Sequence, residues 1–333
     1  MFTYDNPTGG IPQAAYDAAG VFLIGQLERL DPTLYEPLID FSWSRDITLR
    51  EDITMADDVA SWVLSDYANT GGVNPNGISW IGQGVDLISG VAIENGKVSQ
   101  DLHLWGKELK WSIIELAKSQ QLGRPVDAQQ YDAMQMAYNS DVNQLVYVGD
   151  TSINSSGLVN GAAVSNFANV QNGSTSGADR WSLKTPDEIL VDVNEILFSA
   201  WQASGYKVMP TDLRLPPSQF STLTSRLIST AGSASILRFI AENNIVAQQG
   251  GALNIQPLNY LIGRGTGGTP FQTGTVDRMV AYSNRNDLVR FPLVPLQRTP
   301  IQPKSIYQTT TYYGRLGQVE FIRPETVAYR DGL

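Results

Sequence analysis

Gly263–Gly268 (GRGTGG) fits the G-x-G-x-x-G spacing that lets backbone N–H groups approach a dinucleotide pyrophosphate. That chemistry needs a strand before the turn and a helix N-terminus after it. Pro270 and Phe271–Thr275 (FQTGT) come next instead, so no helix starts and the glycines read as a flexible loop. The single histidine, His103, lies in Asp101–Trp105 (DLHLW), with Leu102 and Leu104 on the opposite strand face. Nothing nearby completes a Ser–His–Asp arrangement, so it reads as an exposed strand residue rather than an acid or base. Asp150–Gly157 (DTSINSSG) comes nearest to a calcium loop, yet it lacks glycine at the sixth position and glutamate at the twelfth.

Carboxylates gather in Arg50–Asp58 (REDITMADD) and at Asp187, Glu188, Asp192 and Glu195. The second group opens a helix, where negative charge complements the dipole. Aromatic residues collect toward the two ends, at Phe41, Trp43, Tyr307, Tyr312, Tyr313, Phe321 and Tyr329. Stacking on bases would need interleaved arginine and lysine, so packing or subunit contact is the better reading. The absence of cysteine removes disulfides, thiolate nucleophiles, iron–sulfur clusters and Cys-ligated zinc. The Asn-x-Ser matches at Asn154 and Asn172 read as chance patterns in polar loops. No catalytic residue, cofactor site or metal site is expected, and the chain does not read as an enzyme.

The elements that would have to position such groups suit a scaffold better. The pattern is α+β. Residues 1–50 resemble an arm, with a short apolar stretch at Val21–Leu30. From Asp57 to Trp105, aromatic and β-branched residues alternate with polar ones, as a long hairpin requires. Its polar tip is Ala68–Gly77 (ANTGGVNPNG), and a further turn is expected at Glu94–Lys97 (ENGK). A helix is predicted over Glu108–Gln121 and another over Ala128–Val148, the second carrying Tyr131, Met134, Tyr138, Val142 and Leu145 on one stripe. At 1.5 Å per residue the second would be ~30 Å long, the span of a small domain.

Thr185–Glu188 (TPDE) is a capping box with proline at the first helical position, for a helix running to Ser204 and stopping at Gly205. Beyond it are a strand over Lys207–Leu215, helices from Pro217 and over Ser233–Asn243, and strands over Leu253–Ile262 and Asp277–Tyr282. The tail from Val294 reads as strands broken by glycine and proline.

Composition bounds the partners. The 333 residues lie past the size at which one core usually stops growing, about 250–300 residues, so several lobes are expected. A formal charge of −10 argues against a tight grip on nucleic acid, which needs a basic footprint. No basic region precedes an apolar core at the start, and no apolar run reaches ~18 residues, so neither a signal peptide nor a membrane span is expected.

The stretch Gln144–Val164 (QLVYVGDTSINSSGLVNGAAV) joins the long helical pattern to the next lobe. Gly149, Asp150, Gly157, Leu158 and Asn160, together with Arg315, Gly317, Arg323, Pro324, Asp331 and Gly332 near the end, resemble the tailed-bacteriophage major capsid proteins with the Hong Kong ninety-seven fold. The order of elements along nearly the whole chain resembles that family too. The resemblance implies an N-terminal arm over 1–50 and, over 51–105, an extended hairpin (the E-loop) with the start of the peripheral domain. It further implies a peripheral domain with a spine helix over 106–160, an axial domain over 161–290 and return strands over 291–333.

A structural hinge is then expected at the spine-helix exit, at Gly149, Asp150, Gly157 and Asn160. Contacts between subunits are expected at the E-loop tip: Asn69, Thr70, Gly71, Gly72, Val73, Asn74, Pro75, Asn76 and Gly77. The implied function is a subunit that self-assembles into pentamers and hexamers of an icosahedral head around double-stranded DNA, made in the host cytoplasm. Portal, decoration or scaffolding proteins are the further partners. The alternative with the same fold is an encapsulin shell around cargo enzymes. Neither N-terminal cleavage nor isopeptide crosslinking through Lys97 is expected.

Overall fold

The computed structural model describes residues 41–70, 90–115, 117, 126–228, 234–265 and 276–333. All belong to one unit, Phe41–Leu333. Helix α1 (Trp43–Asp46) leads into β1 (Thr48–Arg50), which pairs in parallel with a strand far along the chain. Residues 43–50 are therefore tied to the body of the unit through β1 and the buried Asp46 and Ile47, while residues 1–40 of the expected arm lie outside the described residues.

The hairpin forms from β2 (Val59–Thr70) and β3 (Gly90–Asp101), paired over their whole lengths. The turn expected at Glu94–Lys97 does not occur. Those residues lie opposite Asp66, Ser65, Leu64 and Val63, in a ladder that runs without a break and keeps the chain extended through them. Asn69 and Thr70 are still in the ladder, opposite Val91 and Gly90. Gly71–Gly77 lie outside the described residues.

The helix expected over Glu108–Gln121 is corrected at its start, because β4 (His103–Ser112) takes residues 108–112; the next described residues, 113–115 and 117, are helical. Every residue of β4 pairs with a C-terminal strand, and Leu109 and Trp111 are covered while Glu108 and Lys110 are exposed. Side-chain burial with a period of two outweighs the helical preference of the Lys-Glu-Leu-Lys run.

Helix α2 (Val126–Tyr147) matches the long helical pattern, with Met134, Tyr138, Val142 and Leu145 buried, while Tyr131 at the start of the expected stripe is exposed. After it come β5 (Phe167–Asn169), α3 (Pro186–Ala203), β6 (Asp212–Leu215), α4 (Pro217–Ser225), α5 (Ile236–Asn243), α6 (Ile245–Gln248) and β7 (Asn254–Pro257). The remaining strands are β8 (Arg278–Tyr282), β9 (Val289–Arg298), β10 (Gln302–Lys304), β11 (Tyr307–Leu316), β12 (Glu320–Phe321) and β13 (Ala328–Asp331). The capping box at α3 is complete: Thr185 accepts from the Glu188 amide and Glu188 from the Thr185 amide.

The described strands form three sheets. One has the order β1-β9-β11-β10, with β4 on β11 and β12 on β9; a second runs β5-β13-β8-β6-β7; the third is the hairpin. Strand β8 shows how the second sheet is held, because all five of its residues are buried. Val280 and Tyr282 point into a core shared with α2 and the first sheet, whereas Met279 and Ala281 point into a core under α3, α4 and α5. Alternation that hides both faces is what a central strand between two layers requires. Residues 291–333 thus feed both large sheets, with β9 and β11 in one and β13 in the other. Among the described residues, no helix is long and apolar enough to cross a membrane.

Candidate functional site

The exit from α2 is built from backbone first. Gly149 has φ +79, and a Cβ there would lie 2.2 Å from the Ser155 carbonyl oxygen, so only glycine can turn the chain at this point. Asp150 caps the next turn, its Oδ1 accepting from Ser152 N at 2.8 Å, while its own amide donates to Ser155 Oγ at 3.0 Å.

The chain then folds back against the helix it has just left. A Cβ on Gly157 would sit 2.2 Å from the carbonyl carbon and oxygen of Tyr147, so the close approach excludes any side chain. That approach lets Leu158 N donate to Val146 O at 2.8 Å and Val159 N to Tyr147 O at 3.0 Å. Two carbonyls that a helix end leaves without intrahelical partners are thereby satisfied. Asn160 Oδ1 accepts from Gly157 N at 3.0 Å and holds the loop shut.

Side chains from distant strands seal the outside. Tyr329 OH donates to Leu158 O at 2.7 Å and accepts from Gly161 N at 3.1 Å. Arg278 Nη1 donates to Val159 O at 2.9 Å, and the same guanidinium grips Asp331 with two bonds of 2.7 and 2.8 Å. Gly149, Asp150, Gly157 and Asn160 lie together at the helix exit in a hydrogen-bonded clamp, in which the buried Asn160 Nδ2 has no partner.

A second polar centre was not foreseen. Asp46, fully buried, accepts from Arg45 Nε at 2.7 Å, Tyr147 OH at 2.6 Å and Arg214 Nε at 3.0 Å. Arg214, equally buried, also reaches Asp212 Oδ1 at 3.0 Å, and Tyr282 OH donates to the Asp46 carbonyl at 2.6 Å. Burial alone would raise the pKa of Asp46, but the Arg45 and Tyr147 hydrogen bonds and the Arg214 charge outweigh it and hold it below the ordinary value. Burial drives Tyr147 and Tyr282 far above the usual tyrosine range, so both stay protonated as donors. The only sequence signal was an acid beside an arginine in Ser42–Asp46, which has no spacing rule attached.

Two arginines fix the hairpin base. Arg50 bonds Asp52 at 2.7 Å, Glu320 at 2.9 Å and the Ser61 carbonyl at 3.2 Å, while Arg315 bonds Asp58 at 2.6 Å and the Asp57 carbonyl at 2.7 Å. Farther out the ladder is bare: Val63 is 61% and Ile93 62% exposed on the same face.

The other candidates are absorbed by the fold. Gly263 N donates to Asp277 Oδ1 at 3.0 Å and Gly265 N to Val276 O at 2.8 Å, so these amides are spent in the chain. Thr266, Gly267 and Gly268 lie outside the described residues. His103 is half-buried opposite Leu316 in the β4–β11 ladder. Glu188 takes the Thr185, Ser176 and Thr175 amides, which lower its pKa to about 2. Asp192 is bonded by Lys184 at 2.7 Å and Trp181 at 2.9 Å, and Glu195 faces Arg330 at 3.6 Å. Among the described residues no group of three His, Asp or Glu side chains could hold a metal ion.

Comparison with known proteins gives the geometry a context. A family model described as major capsid protein matches residues 77–333. The fold is similar to the capsid of Myoviridae phage XM1, with a TM-score of 0.72 at 14% identity over 98% of this chain and 100% of that one. It is similar to the capsid of the native GTA particle, with 0.60 at 10% identity over 95% and 98% of the two chains. The Mycobacterium phage Che8 chain gives 0.57 at 12% identity over 91% and 96%. At such identities the likeness is one of fold. No curated protein sequence matches the chain.

Proposed function

Since the chain belongs to the major capsid protein family, we propose that its copies assemble as pentamers and hexamers into an icosahedral head around double-stranded DNA. The protein is a structural component of the virion capsid and not an enzyme. The encapsulin alternative is not favoured beside the family match and the phage-capsid fold.

One observation carries the assembly reading. The hairpin is anchored by Arg50 and Arg315 at its base, yet exposes Val63 and Ile93 along its length. An isolated two-stranded ladder is marginally stable in water, so it needs a surface to lie on. A neighbouring copy supplies one, and rings close because such contacts are heterologous and rotational. Each obligate contact must bury roughly 2,000 Å² or more to repay the ordering of extended backbone.

The tip, Asn69–Gly77, is the part proposed to reach farthest over the neighbour. The charge of −10 suits a lining that DNA slides past, since like charge discourages sticking. A portal complex, and decoration or scaffolding proteins, complete the proposed partners. Lys97 has no role as a crosslinking residue in this reading, and a single subunit band on a boiled denaturing gel of shells is the expected result. Deleting residues 71–77 tests the contact: a soluble folded subunit that no longer forms shells is expected, and normal particles from the deletion would sink it.

A further inference from the structure

Strand pairing gives the aromatic residues of the C-terminal tail what their own segment lacks. Tyr312 of β11 stands directly opposite Lys107 of β4 on one side and Arg298 of β9 on the other, so an aromatic residue lies between two cations from distant segments. Interleaving of that kind is what base stacking requires. Along this row runs a groove of about 530 Å³ whose walls include Leu109, Trp111, Tyr131, Arg298, Ile301 and Tyr312. Tyr131 of α2 and Tyr312 form an aromatic corner, with ring centroids 5.6 Å apart and planes tilted by 48°. The polar ends of the other walls are already bonded: Trp111 Nε1 donates to Gln308 Oε1 at 3.0 Å, and Gln135 Nε2 donates to Tyr131 OH at 2.8 Å.

The surrounding charges single out Arg298. Lys107 faces Asp141 of α2 at 3.6 Å. Lys110 lies on the opposite sheet face, over the Tyr307 ring at 4.0 Å, and Glu108 alternates to that face with it. Asp132 follows Tyr131 on α2 and is exposed. Arg298 is exposed as well, and among the described residues it has no ion-pair partner. The groove therefore offers flat aromatic and apolar walls with one uncommitted guanidinium among them.

We propose that this groove holds a nucleotide, with its base against Tyr131 and Tyr312 and its phosphate on Arg298. The complement of such walls is an anion that carries a flat ring, and a guanidinium matches phosphate oxygens with two parallel bonds. The volume falls within the roughly 300–1,000 Å³ of small-ligand sites. A single phosphate contact gives a weak, local hold, which a chain of charge −10 still permits. Two sources share this chemistry, a free nucleotide and the unpaired end of an enclosed DNA strand. The second source rests on the capsid reading above; the groove itself does not.

Saturation-transfer NMR on the purified protein tests the groove whether or not shells form. Deoxyadenosine monophosphate should show saturable transfer to its base protons. Arg298→Gln should weaken that binding at least ~10-fold and Arg298→Lys should recover part of it, while deoxyadenosine, which has no phosphate, should bind all three proteins alike. Because Arg298 is exposed, both variants should keep the wild-type urea midpoint. Displacement of the nucleotide by a duplex with a single-stranded overhang, but not by a blunt duplex, would support the strand end as the source; displacement by neither would support the free nucleotide. No saturable transfer, or equal binding of the nucleotide by Arg298→Gln, would overturn the proposal. So would a Glu-Trp-Glu tripeptide that binds through Arg298 where the nucleotide does not. A protein that binds the nucleotide but never forms shells would overturn the capsid reading alone.

Discussion

The loop Gly149–Gly161 and the hairpin Val59–Asp101 both depend on close backbone approach, but they spend their polar and apolar groups in opposite ways. In the loop the returning amides of Leu158 and Val159 cap the helix, and Tyr329 and Arg278 take the carbonyls that remain. In the hairpin the ladder pairs only the inward half of its backbone groups, leaving two free edges, while Val63 and Ile93 face outward. A segment bonded within its chain stabilises the subunit; one that leaves its apolar side chains exposed adds little to that stability.

The largest expected effect falls on the loop. Gly157→Val places side-chain atoms within the van der Waals shell of the Tyr147 carbonyl, and rigid helix backbone cannot yield. A loss of about 3 kcal/mol or more is expected, seen as insoluble or unfolded protein. A soluble variant with an unchanged urea midpoint would remove the clamp from the account.

Asp46→Ala comes next. It leaves Arg214 buried opposite a vacancy, and loss of one partner of a buried pair costs roughly 3–5 kcal/mol. Adding Arg214→Met should recover part of that loss in urea denaturation. No recovery would mean that Arg214 is held by Asp212 alone.

A smaller effect is set by pH. Glu188, held at about 2 by backbone amides, and Asp46, held below its ordinary value, have lower pKa values folded than unfolded. Such groups stabilise the fold above the unfolded pKa and lose that contribution as pH falls. Thermal melts should therefore decline from about pH 4.5 downward, and Glu188→Gln should flatten part of that decline. An identical slope in the variant would contradict the role given to the capping box.

The smallest effect on the subunit is expected at the hairpin. Val63→Asp with Ile93→Asp should move stability by no more than about 0.5 kcal/mol, because neither side chain is covered in the chain. The same pair should abolish shell formation. A destabilised subunit, or normal shells, would erase the contrast between the two regions.

How legible each element is in the sequence depends on the range over which its signal acts. Local signals carried well: the stripe of α2 from Met134 to Leu145 and the Thr185–Glu188 box appear in place, and a hairpin forms where alternation called for one, though without the turn expected at Glu94–Lys97. Where distant partners decide, local reading failed. Lys107–Ser112 becomes strand because Tyr307–Tyr312 lies beside it, and residues 43–50 join the core through Asp46 and Arg214, 168 positions apart. The loop glycines were found, but only one of them acts through its dihedral. Gly149 turns the chain, while Gly157 is required by contact with Tyr147, which no dihedral preference announces.

Electron microscopy of the purified protein, at concentrations and ionic strengths that favour association, tests the central claim most directly. Closed icosahedral shells with five-fold and six-fold clusters of subunits are the predicted result. A protein that stays monomeric under every such condition, with its hairpin and tip intact, would contradict it.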